Sequence, residues 1–216
     1  MATPTSSNAT ITVGSSWKPS ISAPPSNGSG AKVFAVAGQT NWSSSSWTPN
    51  SVGSYDFYVG QIADGSHYGN MNDPNIGNFQ LNGSKYTVTV NKAPMSNPTS
   101  SNYYNITQGS GWKPSISAPG SNGSGAKVFA VSGQTNWGSS SWYPNSPGDY
   151  TFYVGQLADS THYGNNVDPG VGELRINYSS YDVTVQPKIH ISSGSGDGSY
   201  PSGTAVSISA NNPSSN

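Results

Sequence analysis

"YDFYVGQI" occupies residues 55–62, and "YTFYVGQL" stands ninety-five positions later at 150–157. Alternate residues of the first stretch, Tyr55, Phe57 and Val59, are large and apolar, while Asp56 and Tyr58 fall between them. A period of two places one set against a core and the other toward water, so this is a half-buried β-strand. Gly60 is expected to form a bulge. "YTVTV" (86–90) alternates in the same way, with Tyr86, Val88 and Val90 inward and Thr87 and Thr89 outward. In "KVFAVAG" (32–38), Phe34 and Val36 read as inward, because Ala37 becomes Ser132 in the second copy. Further strands are expected at 9–13, 19–23 and 78–82, with equivalents near 104–108, 114–118 and 173–177.

The repeat extends well beyond these strands. "WKPSISAPPSNGSGAKVFAVAGQTNW" (17–42) returns as "WKPSISAPGSNGSGAKVFAVSGQTNW" (112–137), and the same offset reaches "YDVTV" (181–185). A gap-free period of this length indicates a duplicated domain rather than a short solenoid unit. Residues 1–93 form repeat 1 and residues 94–187 form repeat 2. The linker "NKAPMSNPTSSN" (91–102) is polar and punctuated by proline. Residues 188–216 hold two short alternating runs, too little for an independent domain, and read as the truncated start of a third β module.

Six or seven short strands in about 95 residues, joined by Gly/Pro/Asn turns, predict an all-β chain of tandem antiparallel immunoglobulin-like β-sandwiches. Composition agrees, since good helix formers are few. Charged residues make up only 8 % of the chain and the net charge is −1. A nucleic-acid partner would need a dense Lys/Arg surface, so none is expected. No stretch is apolar enough for membrane insertion. With no cysteine there is neither a disulfide framework nor a thiolate site. "MATPTSSNAT" lacks the basic and apolar segments of a secretion signal. Either the chain is not exported that way or Met1 begins a trimmed chain; the sequence leaves both open.

"PNSVGSYDFYVGQIADGSHYGNM" followed by "YTVTVNKA" resembles the bacterial immunoglobulin-like repeats of large surface and adhesin proteins. The matching residues are Gly53, Tyr55, Asp64, Tyr68, Gly69 and Asn91 to Ala93, with Gly148, Tyr150, Asp159, Tyr163 and Gly164 in the second copy. The corner is one residue longer than the Asp-x-x-Tyr-Gly of those repeats, and the second copy ends Gln-Pro instead of Asn-Lys-Ala. "GSGSGDGSYPSGTAVSISANNPS" is similar to the opening of divergent internalin-type repeats, without their later aromatic strand. These likenesses imply a fold and further domains of the same parent chain, and they carry no activity with them.

The recurring "ADGSHYG" and "ADSTHYG" bring an Asp and a His three residues apart. Such a pair suits metal or acid/base chemistry, but an Asx-turn explains it with ordinary turn physics. Tyr68 and Tyr163 are expected to pack their rings against that corner. No catalysis, cofactor or metal is expected. Asp64, Asp73, Asp159 and Asp168, the acids that recur, are the candidates should the loop hold calcium. The chain has a single Glu, and serine is too common for any Ser-His spacing to be informative.

Six tryptophans remain. Trp17 and Trp112 read as core or interdomain plugs, and Trp47 and Trp142, just before Pro49 and Pro144, as packing across a sandwich end. Trp42 and Trp137 lie among Asn, Ser and Gly at the tip of an expected hairpin. With Tyr58, Tyr143 and Tyr153 they form the candidate ligand-binding aromatic surface. Aromatic rings stack on the C–H faces of sugars while Asn, Gln and Ser bond their hydroxyls. The expected role is therefore non-catalytic, extracellular or cell-surface binding and display, with a neutral glycan or cell-surface polysaccharide as partner. A structural spacer or stalk is one alternative. A virion decoration or fibre protein, placed on the virion surface, is another.

Overall fold

The computed structural model describes residues 1–38, 42–73, 77–81, 85–132, 137–164, 166–168, 172–176, 180–191, 194–201 and 203–210, leaving aside the side chains of 72, 73, 77–79, 81, 166–168, 172–174, 176 and 210. The chain is all-β. It divides into two compact units, Met1–Ala93 and Pro94–Asn216, so that residues 188–210 belong to the second.

The first unit contains β1 (Ala9–Thr12), β2 (Lys32–Val36), β3 (Gly53–Ile62), β4 (Met71–Asp73), β5 (Gly77–Leu81) and β6 (Tyr86–Asn91). They form one sheet in the order β1-β6-β3-β5-β4, with β2 on β3. The ten-residue β3 is long enough to pair with β6 through Gly53–Phe57 and with β5 through Gly60–Ile62. Its register with β2 runs unbroken from Lys32 opposite Gln61 to Val36 opposite Phe57, so the bulge expected at Gly60 is not there. The sheet is not purely antiparallel, because β1 runs parallel to β6, with Ala9 opposite Val88 and Ile11 opposite Val90. Strands from the two ends of the repeat can pair only in this long-range way, which leaves no local signal in the sequence.

Facing the sheet is a thin second layer, giving a sandwich-like unit. Its strands are reduced to isolated bridges, Thr5 with Ser22 and Trp17 with Trp47. Pro19 lacks an N–H group that a longer ladder over 19–23 would need, and Pro24 stops it from extending further. The layer is closed by aromatic packing instead. The Trp17 ring meets Phe57 edge-on at 5.2 Å, Phe34 at 5.8 Å and Trp47 at 6.2 Å, and Trp47 meets Tyr55 at 5.2 Å. Phe34, Val36, Phe57, Val59 and Val88 form the buried centre. The alternation read in β3 and β6 is thus the alternation that builds the core, although Thr87 and Thr89 are half-buried and not fully exposed.

The second unit begins at Pro94, within the two-residue β7 (Ala93–Pro94), and repeats this plan. It contains β8 (Tyr103–Thr107), β9 (Lys127–Val131), β10 (Gly148–Leu157), β11 (His162–Tyr163), β12 (Asn166–Asp168), β13 (Gly172–Ile176) and β14 (Tyr181–Gln186). Phe129, Val131, Phe152, Val154 and Val183 form its core, packed against Trp112 and Trp142. The parallel pair β8–β14 carries a bulge that the first unit lacks. Tyr103 lies opposite Val183 and Ile106 opposite Val185, so Tyr104 and Asn105 occupy the space that Thr10 fills alone in β1. Asn105 has φ 68°, the left-handed region that asparagine tolerates. Before this insertion the copies match at one position less, Asn8 with Asn102: each side chain accepts the backbone N–H of Thr87 or Asp182 at 2.9 Å. Beyond β14, four two-residue strands, β15 (Lys188–Ile189), β16 (Gly194–Ser195), β17 (Gly198–Ser199) and β18 (Ser209–Ala210), pair as β15–β17 and β16–β18.

Candidate functional site

The Asp-His corner follows directly after β3 and β10. Asp64 Oδ1 accepts the N–H of Ser66 at 2.9 Å, the N–H of His67 at 2.8 Å and the His67 ring Nδ1–H at 2.8 Å. Its Oδ2 accepts the N–H of Ser29 at 2.8 Å. The carboxylate therefore closes an Asx-turn and also ties the Gly28–Gly30 loop to the end of β3. Asp159 does the same with Thr161, His162 and Ser124. The Ser29 and Ser66 N–H groups and the His67 ring hold the Asp64 carboxyl far below its ordinary pKa. At Asp159 burial pushes the other way, but the donors of Ser124, Thr161 and His162 outweigh it and the pKa is again lowered.

This arrangement is not a nucleophile relay. Ser66 Oγ lies 3.3 Å from His67 Nδ1, the nitrogen already committed to Asp64. A relay needs the acid on one ring nitrogen and the hydroxyl on the other. Nor do Tyr68 and Tyr163 anchor the corner: they are 75 % and 40 % exposed, because the carboxylate bonds leave the following side chain pointing to water. Among the described residues no three His, Cys, Asp or Glu side chains gather in a metal-binding group. The side chains of Asp73 and Asp168, at the ends of β4 and β12, lie outside the described residues.

A second polar cluster was not foreseen. Asn27 is 1 % exposed, accepts the N–H of Ala2 at 2.6 Å and donates to the Ala2 carbonyl at 2.7 Å, imitating a strand pair. Asn122 binds Ser96 in the same two ways and also donates to Gln156 Oε1 at 3.0 Å. Gln156 Nε2 in turn donates to the carbonyls of Gly123 and Gly125, as Gln61 does to those of Gly28 and Gly30. The recurrence of "SNGSG" in both copies was the available signal.

The aromatic candidates separate into two groups. Tyr58 lies opposite Ala35 in the β2–β3 register. On the other side of β2, Phe34 bridges Ser43, the chain neighbour of Trp42, so Tyr58 and Trp42 form a row flanking β2. Phe34 is inward, and alternation along β2 and β3 turns Ala35 and Tyr58 to the outer face. The second unit repeats the row as Tyr153 and Trp137 flanking β9, through the Tyr153–Ala130 pair and the Phe129–Gly138 bridge. Trp42 and Trp137 are half-buried, like the other four tryptophans. Tyr143 does not join the row. It follows Trp142, which is paired with Trp112 in the other layer, and its hydroxyl end covers Gly111.

No protein-family model matches the chain, and no curated protein matches it. No helix among the described residues is long and apolar enough to cross a membrane.

Proposed function

We propose that the chain is a non-catalytic binding and display module of tandem immunoglobulin-like sandwiches that works outside the cell and holds a neutral polysaccharide or cell surface. The observation that carries this reading is the pair of partly accessible aromatics flanking β2, Tyr58 and Trp42, and its copy flanking β9, Tyr153 and Trp137. Such rings offer π faces to the C–H face of a sugar ring. The order β2-β3-β6 supports the fold assignment, since it corresponds to the C-F-G order of an immunoglobulin-like sheet. Two equivalent rows on one chain turn weak recognition into useful avidity.

Affinity electrophoresis of the intact chain through gels containing neutral polysaccharides tests this reading. Retardation is expected on at least one of them. Trp42→Ala and Trp137→Ala should each weaken it by roughly three- to tenfold, the worth of a stacking contact. The double variant should lose more than either single one. Retardation that survives the double variant, or none on any neutral polymer, overturns the proposal.

A further inference from the structure

Each unit has a groove where the chain leaves the β2 edge, or the β9 edge, and crosses to the second layer. In the first unit it is lined by Lys18, Pro19, Ile21, Lys32, Phe34 and Ser44 and has a volume of about 220 Å³. In the second it is lined by Lys113, Pro114, Ile116, Lys127, Phe129 and Ser139, at about 190 Å³. All six positions correspond one to one at the offset of the repeat. The floor is apolar (proline, isoleucine and the edge of a core phenylalanine), and two ammonium groups stand at the rim. Neither groove has a carboxylate among its described lining residues, and no ion pair ties up any of the four lysines among the described residues.

Apart from the recurring aspartates Asp64/Asp159 and Asp73/Asp168, the rest of the charge is not kept between the copies. Lys85 becomes Ser180, Lys92 becomes Pro187, Asp56 becomes Thr151 and Thr87 becomes Asp182. The only lysines present in both repeats are the two pairs at the grooves, half of the chain's eight basic side chains. Packing alone does not require this, since an ammonium at a groove rim adds nothing to a core that Phe34 and Ile21 already fill. The volume is below the roughly 300 Å³ at which pockets for drug-sized ligands begin, so the groove suits one ring-sized unit of a longer ligand.

We propose that each groove binds an acidic sugar residue of an anionic polysaccharide, with its negative group between the paired lysines and its C–H face on the Pro/Ile/Phe floor. This site is separate from the aromatic row and goes beyond the reading given above. Carboxylate and sulfate would both satisfy the lysines, and both occur on sugars.

The test is affinity electrophoresis of the intact chain through polygalacturonate, dextran sulfate and unmodified dextran at low salt. Retardation by polygalacturonate or dextran sulfate is expected, and the comparison of the two assigns the anion. It should fade as salt rises toward 0.5 M, where screening shortens to about 4 Å. Lys18→Gln with Lys113→Gln should weaken it by up to about fivefold at each groove, the worth of an exposed ion pair. Lys32→Gln with Lys127→Gln should do the same, so the result does not hang on one pair of variants. Lys85→Gln with Lys188→Gln changes net charge equally, away from the grooves, and should leave retardation intact. Equal loss in that control, or no retardation by either acidic polymer, overturns the proposal. So does single-stranded DNA competing as well as its charge-matched sugar polymer, because the sugar-shaped floor would then count for nothing. Loss of the dextran signal in the aromatic variants, with the acidic signal kept, would bear on the neutral-glycan reading alone.

Discussion

Asn122→Ala should be among the most damaging polar substitutions in the chain, and Asn27→Ala at the matching position should be milder. Asn122 is 0 % exposed and makes two hydrogen bonds of 2.7 Å to the Ser96 backbone and one of 3.0 Å to Gln156 Oε1. Ser96 is exposed, so water can replace the lost partner there, and those two bonds cost about 1 kcal/mol each. Gln156 is 3 % exposed, and stranding its carbonyl oxygen adds about 1–3 kcal/mol. The total is about 3–5 kcal/mol. In the first unit Gln61 Oε1 already has no partner within hydrogen-bonding distance, so Asn27→Ala strands nothing further. It should cost about 2 kcal/mol, the two bonds to Ala2. For units of this size 1 kcal/mol corresponds to roughly 4–8 °C in melting temperature. Scanning calorimetry of the intact chain should therefore show one transition falling by about 12 °C or more in Asn122→Ala, and a smaller fall in Asn27→Ala. If the two variants lose the same stability, the Asn-Gln link is not what distinguishes the units. If Asn122→Ala costs under about 1 kcal/mol, the backbone clamp itself is unimportant.

Three further outcomes are expected. Gly28 and Gly123 have φ of 80° and 77°, and a Cβ at either would lie 2.2 Å from the Asp64 or Asp159 carboxylate, so Gly28→Ala and Gly123→Ala should each cost about 2 kcal/mol or more in urea unfolding; an unchanged midpoint would show that the loop shifts freely. Asp64 and Asp159 have folded pKa values below the ordinary one, so the stability they contribute is complete above that value and lost as pH falls below about 4. Melting temperatures of the wild type should drop between pH 4 and pH 2, whereas Asp64→Asn with Asp159→Asn should start lower at pH 7 and change less; parallel curves would remove the corner from the acid response. Phe57→Ala and Phe152→Ala, both at 0 % exposure beneath a tryptophan, should cost about 3–5 kcal/mol each, and a loss below 1 kcal/mol by chemical denaturation would contradict the core described here.

Local patterning made the main sheet legible. Phe57, Val59, Val88 and Val90 are the fully buried side chains that period-two alternation selects. The second layer was not legible, because Trp17 and Trp47 act there through single bridges and ring packing, which have no period. "WKPSIS" looks like a strand start, and its proline ends the ladder before it can extend. The parallel edge escaped for another reason: Ala9 and Val88 are opposite each other yet come from the two ends of the repeat. At the candidate surface, sequence alone could group Trp42 with Tyr58 only by chemistry. The strand pairing puts them on the two sides of β2, while Tyr143 lies against Gly111. The inserted residue in β8 was hidden because repeat matching began at Trp17, beyond the point where the two offsets differ.

Duplication also separates the charges held by the fold from those the fold leaves unused. Asp64 and Asp159 recur, and each is fully engaged by donors within its own unit, so the turn explains why both copies keep it. Lys18, Lys32, Lys113 and Lys127 recur with no such partner among the described residues. Lys85, which does have one in Asp56 at 2.9 Å, is absent from the second copy together with that partner. Stability would favour the opposite pattern, keeping the paired lysine and letting the unpaired ones drift, even though an exposed pair is worth under about 1 kcal/mol. Lysines retained without a partner inside the fold are best accounted for by a partner outside it. Ser44 lines the groove and Trp42 belongs to the row, so the bridge at Ser43 fixes the chain that contributes to both. Substitutions that loosen the bridge, such as proline at Ser43, whose N–H bonds Phe34 at 2.9 Å, should therefore weaken acidic and neutral sugar binding together, while substitutions at either surface alone should not.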